Sequence, residues 1–195
     1  MKAAPLCFLF AFAACLVAAD TKPSAIEKLP EKSIYRNSGD WSTDEGRTVR
    51  LDSLRGRPVV MALFFTNCQH SCPLIVNDMK AIQAALSRKA ESKVEFVLAS
   101  IDPDRDSVEA LRAFRKKYKL NGERWALMRS DSKAVRQLAD KLHFQYSAGS
   151  QTQFAHSLLV TVLDADGIIA HQQAGTGVYR RDAISTLEKL AASKR

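Results

Sequence analysis

Residues 59–73 read V-V-M-A-L-F-F-T-N-C-Q-H-S-C-P, an apolar run that ends in a polar turn holding Cys68 and Cys72 around His70. An unbroken stretch of β-branched, aliphatic and aromatic residues, entered through Gly56-Arg57-Pro58, predicts a strand buried on both faces. Past the second cysteine, Ile75, Met79, Ile82 and Leu86 recur at helical spacing, and Pro73 falls in the first turn, where its missing N–H needs no partner. A buried strand that feeds a helix through a short polar turn is an α/β unit, so the flanking pattern has to supply matching strands and helices.

It does so in both directions. Downstream, Val94–Ile101 reads as a second strand. Asp106 reads as the cap of a helix through Tyr118, with Glu109 three residues on and Val108, Leu111, Phe114 and Tyr118 along one face. Trp125–Met128 is a short strand, and Asp131 opens a helix carrying Val135, Leu138 and Leu142. A polar loop, Ser147–Gln153, leads into a strand from Phe154 to Leu163. The turn Asp164-Ala165-Asp166-Gly167 folds it back into Ile168–His171, and a last helix holds Ile184, Leu187 and Leu190. Upstream, Trp41–Leu51 reads as a hairpin turning at Asp44-Glu45-Gly46, with a short strand before it at Ile34-Tyr35. Strands alternating with helices and closing on a hairpin predict an α/β protein with a thioredoxin-like fold, a central mixed sheet with helices on both faces.

The chain has 195 residues, 46% of them hydrophobic, and no internal repeat, which predicts one well-buried domain over 41–195. Residues 20–40 are polar, carry Pro23 and Pro30, and read as a flexible leader. Residues 1–19 hold a single Lys2, an apolar stretch and a small-residue Val17-Ala18-Ala19 site, the form of a signal peptide for export to the periplasm. A lipoprotein signal lipidated at Cys15, or retention of the stretch as an anchor, are the alternatives; either would associate the N-terminus with a membrane. The formal net charge is +8. Arg112, Arg115, Lys116, Lys117 and Lys119 cluster on one helix without interleaved aromatics, which reads as a solvated polar face rather than a nucleic-acid surface. Such a face could serve docking to an acidic or membrane-embedded partner.

Loss of residues 1–19 would remove Cys7 and Cys15 and leave Cys68 and Cys72. A lone pair four residues apart closes too small a loop to staple a domain, so it reads as chemistry. The pair falls at the carboxyl end of the first buried strand, where open α/β sheets place their sites. Spacing of i and i+4 brings both sulfurs to one helix face, and a helix N-terminus favours thiolate. Simple packing of two small hydrophobes is a poor explanation for N-C-x-x-x-C-P at such a junction.

Two chemistries fit. One is a redox-active pair in which Cys68 attacks and Cys72 resolves; the other is two arms of a metal site. Two thiolates and one imidazole form a soft set suited to copper, Cu(I) especially. Among the four histidines, His70 has only a short loop to point from, while His143 and His171 read as ordinary polar positions. His156 stands at the entrance of the strand that ends at Leu163, in the part of a thioredoxin-like chain whose loop faces the strand-to-helix junction. No proline follows Pro103, so Ala155-His156-Ser157 occupies the slot in which thioredoxins keep a cis-proline.

These residues make the chain similar to the Sco/SenC family of copper-handling proteins. The resemblance runs from about Trp41 to the C-terminal helix through Leu54-Arg55-Gly56-Arg57-Pro58, Phe64-Phe65-Thr66-Asn67-Cys68, Cys72-Pro73, Ser100-Ile101-Asp102-Pro103-Asp104-Arg105-Asp106, His156-Ser157 and Asp164-Ala165-Asp166-Gly167. It implies copper held by Cys68, Cys72 and His156, and a metallochaperone role in copper-centre assembly of cytochrome c oxidase outside the cytoplasmic membrane. The implied partners are a copper-receiving oxidase subunit or a copper donor, together with a thiol–disulfide reductant. Some members look more like thiol–disulfide reductases, so the alternative is an oxidoreductase that acts on exported protein disulfides through Cys68 and Cys72. A peroxide-reducing relative of the same fold lacks a clear partner arginine here. Asp102 to Asp106 read as structural, forming a turn and a helix cap.

Overall fold

Every residue of the strand Val59–Phe64 is buried, as an apolar run without alternation requires of a strand covered on both sides. The structure, a computed structural model, describes residues 29–68, 71–120, 123–148, 154–156, 158–175, 177 and 180–193, with the backbone alone for 147, 148 and 154–156. In chain order the elements are β1 (Asp40–Thr43), β2 (Thr48–Arg50), β3 (Val59–Phe64), α1 (Ser71–Ala85), α2 (Arg88–Glu91), β4 (Glu95–Ser100), α3 (Val108–Tyr118), β5 (Trp125–Arg129), α4 (Ser132–Lys141), β6 (Tyr146–Ala148), β7 (Phe154–His156), β8 (Leu159–Leu163), β9 (Ile169–Ala174) and α5 (Arg180–Ala192). Seven strands form one mixed sheet in the order β2-β1-β5-β4-β3-β8-β9, with β6 and β7 paired separately. β3 runs parallel to β4, and β4 to β5. β8 returns antiparallel beside β3, from Ala62 opposite Val160 to Val59 opposite Leu163.

Helices cover both faces. Gln172 and Gln173 are neighbours on β9 and so point to opposite sides of the sheet. Gln172 donates to Leu142 O at the end of α4, and Gln173 donates to Asp78 of α1. α1, α3 and α5 share a side: Lys80 reaches Tyr118 O, Gln83 accepts from the Trp125 indole, and Ser87 donates to Glu188. The core runs along both faces of β3 and β4, where Phe64 packs on Phe114 of α3 with ring centroids 4.8 Å apart, and Phe96 stacks on Trp125. Among the described residues, no helix is long and apolar enough to cross a membrane.

The hairpin at Asp44-Glu45-Gly46, the opening of α4 at Asp131 and the Asp164–Gly167 turn fall where their sequence signals place them. Four details differ. Ile34-Tyr35 is not a strand but the start of a 3-10 turn, Ile34–Arg36, because the Ser33 hydroxyl accepts from Tyr35 N. That turn also shortens the leader expected over 20–40. Leu29, Ile34 and Tyr35 are core residues, and Ile34 N donates to Gly167 O at 3.0 Å, so the packed domain starts by Leu29 rather than Trp41.

The strand expected from Phe154 to Leu163 is two strands. Pairing with β3 ends as β3 turns off toward the cysteines, so Phe154–His156 lacks that neighbour and pairs instead with Tyr146–Ala148. The cap of α3 is Ser107, whose hydroxyl accepts from Ala110 N, and not Asp106, which is engaged elsewhere. Residues 1–28, with the signal-peptide, lipoprotein and anchor readings, lie outside the described residues.

Candidate functional site

Past Phe64, whose carbonyl accepts from Ile101 N at 2.8 Å, the chain leaves the sheet in a turn closed by Cys68 N donating to Phe65 O at 3.2 Å. Helix α1 starts three residues later, and this geometry brings the two cysteines together. Cys68 and Cys72 are both thiols and both buried. The Cys72 amide N–H donates to Cys68 Sγ at 3.3 Å, and the Ser71 hydroxyl lies 3.5 Å from the same sulfur. The Cys68 sulfur therefore sits over the first turn of α1, where the helix dipole and a backbone donor both face it, a setting suited to a nucleophile or a metal ligand. The Cys72 thiol is held well above the usual thiol range. Its hydrogen bond with Cys68 is the main cause and burial the second; the charges of Cys68 and Asp106 add to them, and the Phe65 backbone opposes.

The turn before Cys68 is gripped from the neighbouring strand end. Asp106 is buried and accepts the Thr66 N–H at 3.1 and 3.2 Å on its two oxygens, the Thr66 hydroxyl at 2.5 Å and the Ser100 hydroxyl at 2.5 Å. Burial pushes its carboxyl above the usual carboxylate range, against the pull of the Ser100 and Thr66 hydrogen bonds. The Ser100 hydroxyl in turn accepts Asp102 N, and Asp102 pairs with Arg105 at 2.6 Å. Thr66 and Ser100 had no part in the sequence reading of the site. Their signal was a cluster of carboxylates after a strand, more than one helix cap can use.

The second wall comes from the far end of the chain. Because β8 runs antiparallel to β3, it starts at the end of the sheet where the cysteines lie, and β7 ends at His156, three residues before Leu159. The backbone thus delivers position 156 to the thiol end of the sheet. The His156 side chain, His70 and Ser157 lie outside the described residues. The other two histidines are elsewhere. His143 follows α4 with φ 54, and His171 pairs with Val162, which lies opposite Val60 near the start of β3. Among the described residues, no three His, Cys, Asp or Glu side chains gather as a metal cluster. Asp78, two turns along α1, fastens the loop after β9 to the thiol helix: it takes Gln173 Nε2 at 2.9 Å, Gly177 N at 3.1 Å and the Arg180 guanidinium at 2.6 Å.

Comparison with known proteins bears on the fold and the family. The SCO1 protein homolog of Bacillus subtilis (strain 168) is 33% identical over 86 residues, a stretch spanning 44% of this chain and 44% of that protein. The structure of BsSco, reported with a disulfide switch and as a member of the Sco family of cytochrome c oxidase assembly proteins, superposes with a TM-score of 0.70 at 24% identity, covering 81% of this chain and 94% of that one. Copper-bound ScoI of Bradyrhizobium japonicum superposes with a TM-score of 0.65 at 17% identity, covering 78% and 96%. The fold is therefore the thioredoxin-like one of Sco structures. The SCO1/SenC family model matches residues 31–192, a span that starts just ahead of the Ser33-capped turn and ends with α5. That match takes in the thiol pair over the helix N-terminus and the carboxylate-gripped turn before it, and leads to one conclusion: the chain belongs to the SCO1/SenC family.

Proposed function

We propose that this protein is a copper metallochaperone acting outside the cytoplasmic membrane, with Cu(I) as its cargo, held by Cys68, Cys72 and His156. The observation that carries the reading is the convergence of both thiols at the α1 N-terminus, with the Cys72 amide 3.3 Å from Cys68 Sγ. The donor chemistry fits, since two sulfurs completed by an imidazole make a soft, low-coordinate set that suits Cu(I) and leaves a tetrahedral zinc site unfilled. The chain direction of β8 supports His156 as the third donor. Support for copper-centre assembly of cytochrome c oxidase comes from family membership, from the copper-bound ScoI relative and from the description of BsSco. On this reading the partners are a copper donor, an oxidase subunit that receives copper, and a reductant that keeps the thiols open for metal.

The test is titration of the reduced protein with Cu(I) against a chromophoric chelator. Wild type is expected to hold one equivalent. His156→Ala is expected to lose at least about tenfold in affinity with an unchanged circular dichroism spectrum, and Cys68→Ser to lose capture altogether. Unchanged affinity in His156→Ala would remove it from the ligand set. A second reading, a thiol–disulfide oxidoreductase, is favoured by the same N–H donated to the Cys68 sulfur, which suits an attacking thiol with Cys72 as its resolving partner. It predicts turnover of a protein disulfide that survives His156→Ala and stops in Cys68→Ser.

A further inference from the structure

Among the described residues, Asp106 is the one buried carboxylate whose hydrogen bonds run to the turn that carries the thiols. Four of its contacts come from two places only: the N–H and hydroxyl of Thr66, two residues before Cys68, and the hydroxyl of Ser100, the last residue of β4. Its neighbour Ser107 supplies the helix cap, so α3 does not need Asp106 for its start. The carboxylate is withdrawn from water, and a buried charge of this kind is tolerated only where its donors are fixed. The fixed donors here set the path of the backbone from Phe65 to Cys68.

We propose that Asp106 is the positioning residue of the thiol pair: by holding Thr66 against the end of β4, it fixes the Cys68 sulfur over the first turn of α1. It touches neither metal nor substrate and acts through Thr66. The grip is seen with both cysteines as thiols; the proposal includes that it is weaker in the disulfide, so that it favours the dithiol. This deepens the copper reading and rests on it only where copper is the probe.

The test equilibrates the protein with reduced and oxidised glutathione. One protein disulfide and two glutathione thiols give the protein dithiol and one glutathione disulfide, with two electrons and two protons passing to the protein. Thr66→Val keeps the backbone N–H and the side-chain shape but loses the hydroxyl donor, and Asp106→Ala loses the whole grip. Thr66→Val is expected to shift the equilibrium toward the disulfide by at least about threefold, roughly 14 mV for a two-electron couple, and Asp106→Ala to shift it further.

Cu(I) affinity is expected to fall in the same order. Asp44→Asn, a buried carboxylate change in the β1–β2 hairpin, serves as the structural control and is expected to lower stability with no shift. If Asp106→Ala does not fold, Thr66→Val decides alone. A folded Thr66→Val that moves by less than about threefold, or toward the dithiol, overturns the proposal. If wild type captures no Cu(I), the copper reading fails, yet the glutathione equilibrium still decides the role of Asp106.

Discussion

Cys72 keeps its proton because the Cys68 sulfur and a dry surrounding both disfavour its thiolate. An acid whose folded value is raised contributes stability below its unfolded value and loses that contribution as pH climbs. In the unfolded chain Cys72 ionises from about pH 8.5 upward while the folded thiol does not, so the unfolding free energy falls by up to about 1.4 kcal/mol per pH unit above that point. Urea unfolding between neutral and alkaline pH is expected to show this slope in wild type and a shallower one in Cys72→Ala. At this scale the sequence displayed the reactive residues and concealed their supports. Cys68 and Cys72 announce themselves by spacing at a strand end. Asp106 and Ser107 are both good cap residues side by side, and only the approach of Thr66 from forty positions upstream gives the cap to Ser107.

The strands and helices around β3 were legible because burial on two faces leaves an unbroken apolar run, and helices under it leave a regular spacing. The separate β6–β7 ribbon was not, since Tyr146-Ser147-Ala148 is too short to show a period and its partner looks like an extension of β8. The β8–β9 turn was legible through Gly167. That residue has φ 77, and a Cβ there would stand 2.6 Å from Tyr35 Cδ2. Tyr35 is fully buried under the turn, so it has little room to retreat. Gly167→Ala is therefore expected to cost about 3 kcal/mol in urea unfolding, from the backbone conformation and the collision together.

At the scale of the molecule, two long-range ties close the domain. Asp44 in the hairpin turn accepts from the Arg115 guanidinium of α3 and from Leu127 N of β5, so the β1–β2 hairpin is bound to the sheet edge and to a helix. The Ser33-capped turn binds the N-terminal stretch to the β8–β9 turn. This moves the working boundary of the domain. A chain beginning at Leu29 is expected to match full-length stability, whereas one beginning at Ser38 loses the burial of Ile34 and Tyr35. At about 2 kcal/mol for each side chain, that loss is a large share of the margin of an ordinary domain, readable as a lower urea midpoint.

The same tie fixes a direction. Ser33 and Ile34 meet Asp166 and Gly167 at the amino end of β3, and Cys68 lies beyond its carboxyl end, so the strand separates them by about 20 Å. A protein held to a sensor chip or resin through the segment at Ser33 and Ile34 would turn the thiol end of its sheet away from the support.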